Sequence, residues 1–258
     1  MSEHNIEVES GKSLRLKTAG KYCDRDVVVT ATGGGGGDTE AAYQEGLAAG
    51  IEQGKQAEYD AFWDMYQLNG QRLTYSYAFS ETWTDETFNP KYDMRPTAAL
   101  SMFQRTKITD LVAALERAGI VLDTSGVTSF LYFMQDTKIT HAPTIDCSRS
   151  PTIQNIFAFS YYLHTIDKLI LHEGITQMQN AFNSCHVLEN ITIEGVIAKT
   201  ISFQWSPLSD ASVQSIIDHL KDLTGTTAQT LTLRATVGAK LIEEQKATIT
   251  AKNWTLVY

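Results

Sequence analysis

Six histidines, three cysteines and one close pair of aspartates are the residues of this sequence that could hold a metal or move a proton. The histidines are His4, His141, His164, His172, His186 and His219, and none has a partner at a helical ligand spacing with a third ligand nearby. His164 and His186 recur 22 residues apart, but so do their neighbours, and a structural repeat accounts for that without a metal. Cys23, Cys147 and Cys185 are odd in number and widely separated, which argues against both a disulfide framework and a thiolate site. Three reduced thiols are expected, with Cys185 in a core position. Asp60 and Asp64 share a helical face beside Trp63, but paired-carboxylate catalysis needs a cleft, and a solvated helix face is the expected setting. The five glycines Gly33 to Gly37 lack the lysine and the strand–helix context of a phosphate loop, and no nucleophile-elbow, Walker or dinucleotide pattern occurs. The expectation is therefore no catalytic residue, no metal and no cofactor. Tyr161 and Tyr162 are adjacent and cannot both point inward, so at least one should reach the surface as a contact for a protein or glycan receptor.

The chain has 258 residues, 43% hydrophobic and 20% charged, enough apolar material for a real core and far from the composition of disorder. A net charge of -9 gives no attraction to phosphate backbones or anionic lipid, so neither nucleic acid nor a membrane surface is an expected partner. No apolar run approaches the roughly 20 residues of a spanning helix, and Met1 to Asn5 shows no basic stretch leading into an apolar one. Neither a transmembrane segment nor a signal peptide is expected.

Residues 1–32 alternate at period two (Ile6 and Val8, Leu14 and Leu16, Val27 and Val29) and read as a small β module suited to docking on another protein. Residues 33–38 form a Gly-rich linker. Residues 39–69 read as a helix with an Asp/Thr start and an Asn69-Gly70 stop. Gly46, Gly50 and Gly54 lie on one stripe of it, each costing roughly 1 kcal/mol relative to alanine. Close approach of a second helix would offset that cost, with Leu47 and Ile51 flanking the contact, so the stripe predicts a homo-oligomer, a trimer fitting best. Residues 70–98, rich in aromatics such as Tyr75, Phe79, Trp83 and Phe88, are expected to shield the N-terminal edge of residues 99–203.

Residues 99–203 carry internal repetition. Thr-Lys-Ile-Thr occurs at 106–109 and again at 137–140, and Leu122-Asp-Thr-Ser is echoed by Ile145-Asp-Cys-Ser. Downstream, Ile153, Ile156 and Phe159 match Ile175, Met178 and Phe182, and Ile166, Leu169 and Leu171 match Leu188, Ile191 and Ile193, at offsets of 22 or 23 residues. Each unit reads as a turn with an inward aromatic followed by a short strand, and only stacking can bury its apolar side. Asp110 to Ala118 reads as a helix inserted between strands. In 204–258, Ser209 should cap a helix carrying Val213, Ile216, Ile217 and Leu220 and stopping at Gly225. A strand at Leu231 to Leu233, a helix at 239–252 and a strand at 254–258 complete an α/β cap. The fold class is therefore α/β: an irregular repeat solenoid with a C-terminal α/β cap, preceded by a small β module and a long helix.

The units Ile175-Thr-Gln-Met-Gln-Asn-Ala-Phe-Asn-Ser-Cys185 and Leu188-Glu-Asn-Ile-Thr-Ile193 resemble the BspA type of leucine-rich repeat. The arrangement is also similar to tail, baseplate or receptor-binding proteins of phages of gut Firmicutes. There a module ending like Gly20-Lys-Tyr-Cys-Asp-Arg-Asp-Val-Val-Val-Thr30 precedes a Gly-rich linker, a Gly-spaced helix and repeats of this type. The resemblance implies a virion component in the tail or baseplate, joined to other virion proteins and attaching to a host surface protein or glycan. A bacterial cell-surface adhesin with the same repeats, or a glycan hydrolase, are the alternative readings.

Overall fold

The computed structural model describes the strands Ser13–Ala19 and Asp24–Thr30, and residues 75–81 and 83–258. The Gly-rich linker, the helix of 39–69 with its Gly46, Gly50, Gly54, Leu47 and Ile51 stripe, the Asp60/Asp64 pair, His4 and Cys23 lie outside the described residues. Two compact units divide the chain, Met1–Gly70 and Gln71–Tyr258. In the first, β1 (Ser13–Ala19) and β2 (Asp24–Thr30) pair antiparallel, with Leu14 opposite Val29 and Leu16 opposite Val27. This is the pairing that the period-two alternation predicts.

The second unit is built on a backbone motif that returns along the chain. Pairs of non-glycine residues four apart adopt positive φ: Tyr77 and Glu81, Ser101 and Arg105, Tyr132 and Asp136, Asn155 and Phe159, Asn180 and Ser184. Each such residue costs roughly 1–2 kcal/mol in isolation, so tertiary bonding must enforce it. That bonding is a parallel register from one turn to the next. Tyr77 N donates to Leu100 O, Ser101 N to Leu131 O, Tyr132 N to Gln154 O and Asn155 N to Gln179 O. Glu81 N donates to Gln104 O, Arg105 N to Gln135 O, Asp136 N to Ala158 O and Phe159 N to Asn183 O. In the first four pairs each left-handed residue thus bonds the carbonyl just before its counterpart one turn on. Residues 75–98, expected as a cover, carry the same motif as the turns after them.

Inside the left-handed pairs sit buried phenylalanines. Phe79 packs on Phe103 with centroids 5.2 Å apart, Phe103 on Phe133 at 5.6 Å, Phe157 on Phe182 at 5.7 Å and Phe182 on Phe203 at 4.5 Å. Small polar groups lock the same corner: Ser160 Oγ donates to Met134 O (2.6 Å), Cys185 Sγ to Phe157 O (3.2 Å) and Ser206 Oγ to Cys185 O (3.2 Å). Away from this corner, β3 (His141–Ala142) and β4 (Ile145–Asp146) pair parallel with β5 (Thr165–Leu171), which pairs parallel with β6 (Asn190–Gly195). The inserted helix, α1 (Leu111–Ala118), forms as its sequence indicates: Asp110 Oδ1 accepts from Ala113 N, Gly119 closes it in the left-handed region, and Leu111, Ala114 and Leu115 are buried.

Two expectations about register are corrected. Phe159, aligned by sequence with inward Phe182, is exposed; Phe157 is the buried counterpart. Likewise Ile166 pairs with Ile191 and Leu169 with Ile193, so the offset is 25 and then 24 residues, not 22, with a bulge between Ile166 and Leu169 absorbing the difference. Leu163, Ile166 and Leu169 are all buried and three apart, so sliding the pattern by three residues leaves apolar on apolar. His164 and His186 are consequently not equivalent.

Parallel strands β7 (Ile201–Phe203), β8 (Gln229–Leu233) and β9 (Trp254–Val257) form the C-terminal sheet. Helix α2 (Asp210–Asp218), capped by Ser209, follows β7. It stops at Asp218 rather than near Gly225, because Leu220 is drawn into a bridge with Ile197 (Ile197 N to His219 O and Lys221 N to Ile197 O, both 2.8 Å). Between β8 and β9 lie two helices, not one, α3 (Ala235–Gly238) and α4 (Glu243–Ala251). Gly238 is buried so closely under Tyr258 that an added Cβ would lie 2.2 Å from the ring. The described unit is thus mixed α and β.

Candidate functional site

Exposed side chains can be compared turn by turn once the register is fixed. The second left-handed residues form the column Glu81, Arg105, Asp136, Phe159, Ser184. The first three are an ion-pair ladder, Arg105 lying 3.4 Å from Glu81 and 3.6 Å from Asp136. Two residues further along each turn stand Trp83, Lys107, Lys138, Tyr161 and His186. Trp83 packs inward on Phe79 and Phe88, and the next two are exposed lysines. At the turn of Phe159 the left-handed column changes from charged to aromatic while keeping its positive φ; two residues on, Tyr161 stands in a tighter turn than the two lysines, its N–H donating to Phe159 O and that of Leu163 to Ser160 O.

The aromatics join into a strip. Phe159 lies 6.5 Å from Tyr161; Tyr161 stacks on His186 at 5.6 Å with planes 6° apart; His186 meets Trp205, in the turn after β7, at 5.2 Å and 62°. Tyr162 extends the strip sideways under Lys138, whose Nζ sits 4.4 Å from the ring centroid. Phe159, Tyr161, Tyr162 and Trp205 are 38–50% exposed, and Val187 is exposed beside them. Five of the ten large exposed hydrophobic side chains among the described residues thus lie in this strip or next to it in the chain.

Both tyrosines singled out in the sequence reach the surface. Phe159, His186 and Trp205 were not singled out, because their signal is a comparison between columns, which needs the 25-residue register. The other histidines of this face are already engaged: His141 Nε2 lies 2.6 Å from Asp167 Oδ1, and His164 Nε2 lies 3.2 Å from Glu189. A shallow cavity of about 320 Å³ beside α1, lined by Val112, Leu115, Val121, Pro143 and Thr144, has Glu116 and Asp167 as its ionisable groups.

Cys147 and Cys185 are free thiols, both fully enclosed. Burial raises the Cys147 pKa well above its ordinary value, and burial raises that of Cys185 to about 12. Neither is poised as a nucleophile. Among the described residues no group of three or more His, Cys, Asp or Glu side chains is placed to hold a metal ion, and no helix is long and apolar enough to cross a membrane. Comparisons with protein-family models, curated proteins and solved structures give no significant match.

Proposed function

We propose that the chain is a non-enzymatic attachment protein of a phage tail tip or baseplate. In this reading Gln71–Tyr258 is an irregular leucine-rich-repeat solenoid with an α/β cap, and its aromatic strip contacts a host surface protein or glycan. The β module docks to other virion proteins, and the Gly46, Gly50, Gly54 stripe joins copies into a homotrimer. The observation that carries the binding role is the change from Glu81, Arg105 and Asp136 to an exposed Phe159 at equivalent left-handed backbone positions, with Tyr161 and His186 stacked beyond it. The turns fold with charged residues there, so folding does not explain the exposed ring. The virion assignment is supported by the sequence resemblance.

Mass spectrometry of purified particles should find the protein at a stoichiometry divisible by three, and Fab fragments against residues 71–258 should block adsorption. Recovery in the cell-envelope fraction instead, with none in particles, would favour an adhesin. Release of reducing sugar from wall polysaccharide would favour a hydrolase.

A further inference from the structure

The strip has a composition that narrows what it can hold. Two residues with side-chain amides stand next to it in the chain: Asn183, whose backbone carbonyl accepts from Phe159 N at 2.8 Å, and Gln204, which precedes Trp205. Neither amide makes a side-chain hydrogen bond among the described residues, so both keep donor and acceptor capacity. Several charged groups at the rim already have partners within the chain. Arg105 lies between Glu81 and Asp136, His164 against Glu189, and Lys138 over Tyr162. Lys107 and Lys138 have no anionic partner among the described residues, but the net charge of -9 opposes binding of a polyanion.

Size argues against a globular protein partner. A standard protein interface takes about 800 Å² from each side, whereas this strip is a line of rings over three successive turns, from Phe159 and Tyr161 through His186 to Trp205, with Tyr162 beside it. Rings in an elongated line with free amides nearby suit an extended polymer with apolar faces and hydroxyl edges. We infer that the strip of Phe159, Tyr161, Tyr162, His186 and Trp205 binds a neutral glycan chain, its sugars stacking on the rings and its hydroxyls bonding Asn183 and Gln204. This rests on the proposed attachment role and names the ligand class of the same site.

The test uses the full-length protein, fluorescently labelled, on a panel of Gram-positive gut isolates. Cells are left untreated, digested with protease, or oxidised with periodate, which cleaves vicinal diols. Phe159→Asp gives this turn the residue that Asp136 carries at the same left-handed position, so the fold accommodates it, and Tyr161→Lys replaces a side chain that is 45% exposed; Trp205→Ala is the third variant and Tyr77→Ala, exposed but away from the strip, the control. Binding that survives protease, is lost after periodate, and falls about tenfold or more in each strip variant but not in Tyr77→Ala is the expected result. Binding lost to protease and kept after periodate overturns the glycan while leaving attachment standing. Cell binding unaffected by the strip variants overturns the site. Absence of binding to every isolate removes the attachment reading and this inference with it.

Discussion

At residue scale the strained positions separate structural from binding demands. Ser101 has φ of 52° and a buried Oγ without a hydrogen-bond partner, so both its Cβ and its hydroxyl are unfavourable. Ser101→Gly should raise stability by about 1 kcal/mol in urea unfolding, the gain reduced by glycine's greater chain entropy, and should leave cell binding unchanged. Phe159 has φ of 62° with its ring exposed, and asparagine tolerates that backbone better. Phe159→Asn should also stabilise, by up to about 1 kcal/mol, but at the expense of binding. A loss of stability would mean that the exposed ring holds the turn together. The buried thiols predict a pH response. Unfolded Cys185 ionises near the ordinary thiol value, while the folded thiol stays protonated until about pH 12, because burial disfavours the thiolate. Its stabilisation is fully present below the unfolded value and is lost as pH rises toward 12, at up to about 1.4 kcal/mol per pH unit. Cys185→Ala should flatten that alkaline limb, and native Cys147 and Cys185 should resist iodoacetamide at pH 8 in peptide mapping.

At element scale the open edge of β6 is closed by serines of α2. Ser212 Oγ accepts from Ile191 N at 2.9 Å and donates to Glu189 O at 2.9 Å, while Ser215 Oγ accepts from Ile193 N at 2.9 Å. Two residues along a strand present N–H groups on one side, and three along a helix present hydroxyls on one face, so one helix ends the parallel ladder without another strand. Ser212 is buried, and Ser212→Ala should cost about 1–3 kcal/mol by leaving the Ile191 N–H unpaired; Ser215→Ala, at a half-buried site, should cost less. Equal and negligible losses would show that water replaces both hydroxyls. Helix α1 was legible because Asp110 and Gly119 are ordinary start and stop signals around an amphipathic run. Strands β5 and β6 were legible as apolar alternation, but their register was not, since Leu163, Ile166 and Leu169 repeat at three residues and disguise a 25-residue offset as 22. The left-handed pairs were hidden because only Asp136, Asn155 and Asn180 among their ten members are residues that advertise that backbone. With the register hidden, Phe159 read as core and the strip could not be assembled beyond Tyr161 and Tyr162.

At the scale of the whole molecule, the division into Met1–Gly70 and Gln71–Tyr258 makes a prediction about where each activity resides. In the second unit each turn bonds its neighbour through paired backbone donors, and the phenylalanine column spans Phe79 to Phe133 and Phe157 to Phe203. Nearest-neighbour stacking of this kind gives cooperative folding without contacts from outside the stack. Residues 71–258 alone should therefore unfold in one urea transition and retain the cell binding of the full chain, lowered only by the avidity that a trimer adds. Chelator should leave the midpoint unchanged, since metal shifts stability only where ligands couple it to folding. The hairpin of β1 and β2 is too small to be stable alone and gains stability by joining a larger surface, which fits docking to a particle. Residues 1–70 should accordingly enter particles without supporting adsorption, and removal of residues 1–37 from the full chain should give a protein that binds cells but is absent from virions. Cell binding by residues 1–70 with none by residues 71–258 would reverse the assignment of the two ends and take the aromatic strip out of host recognition.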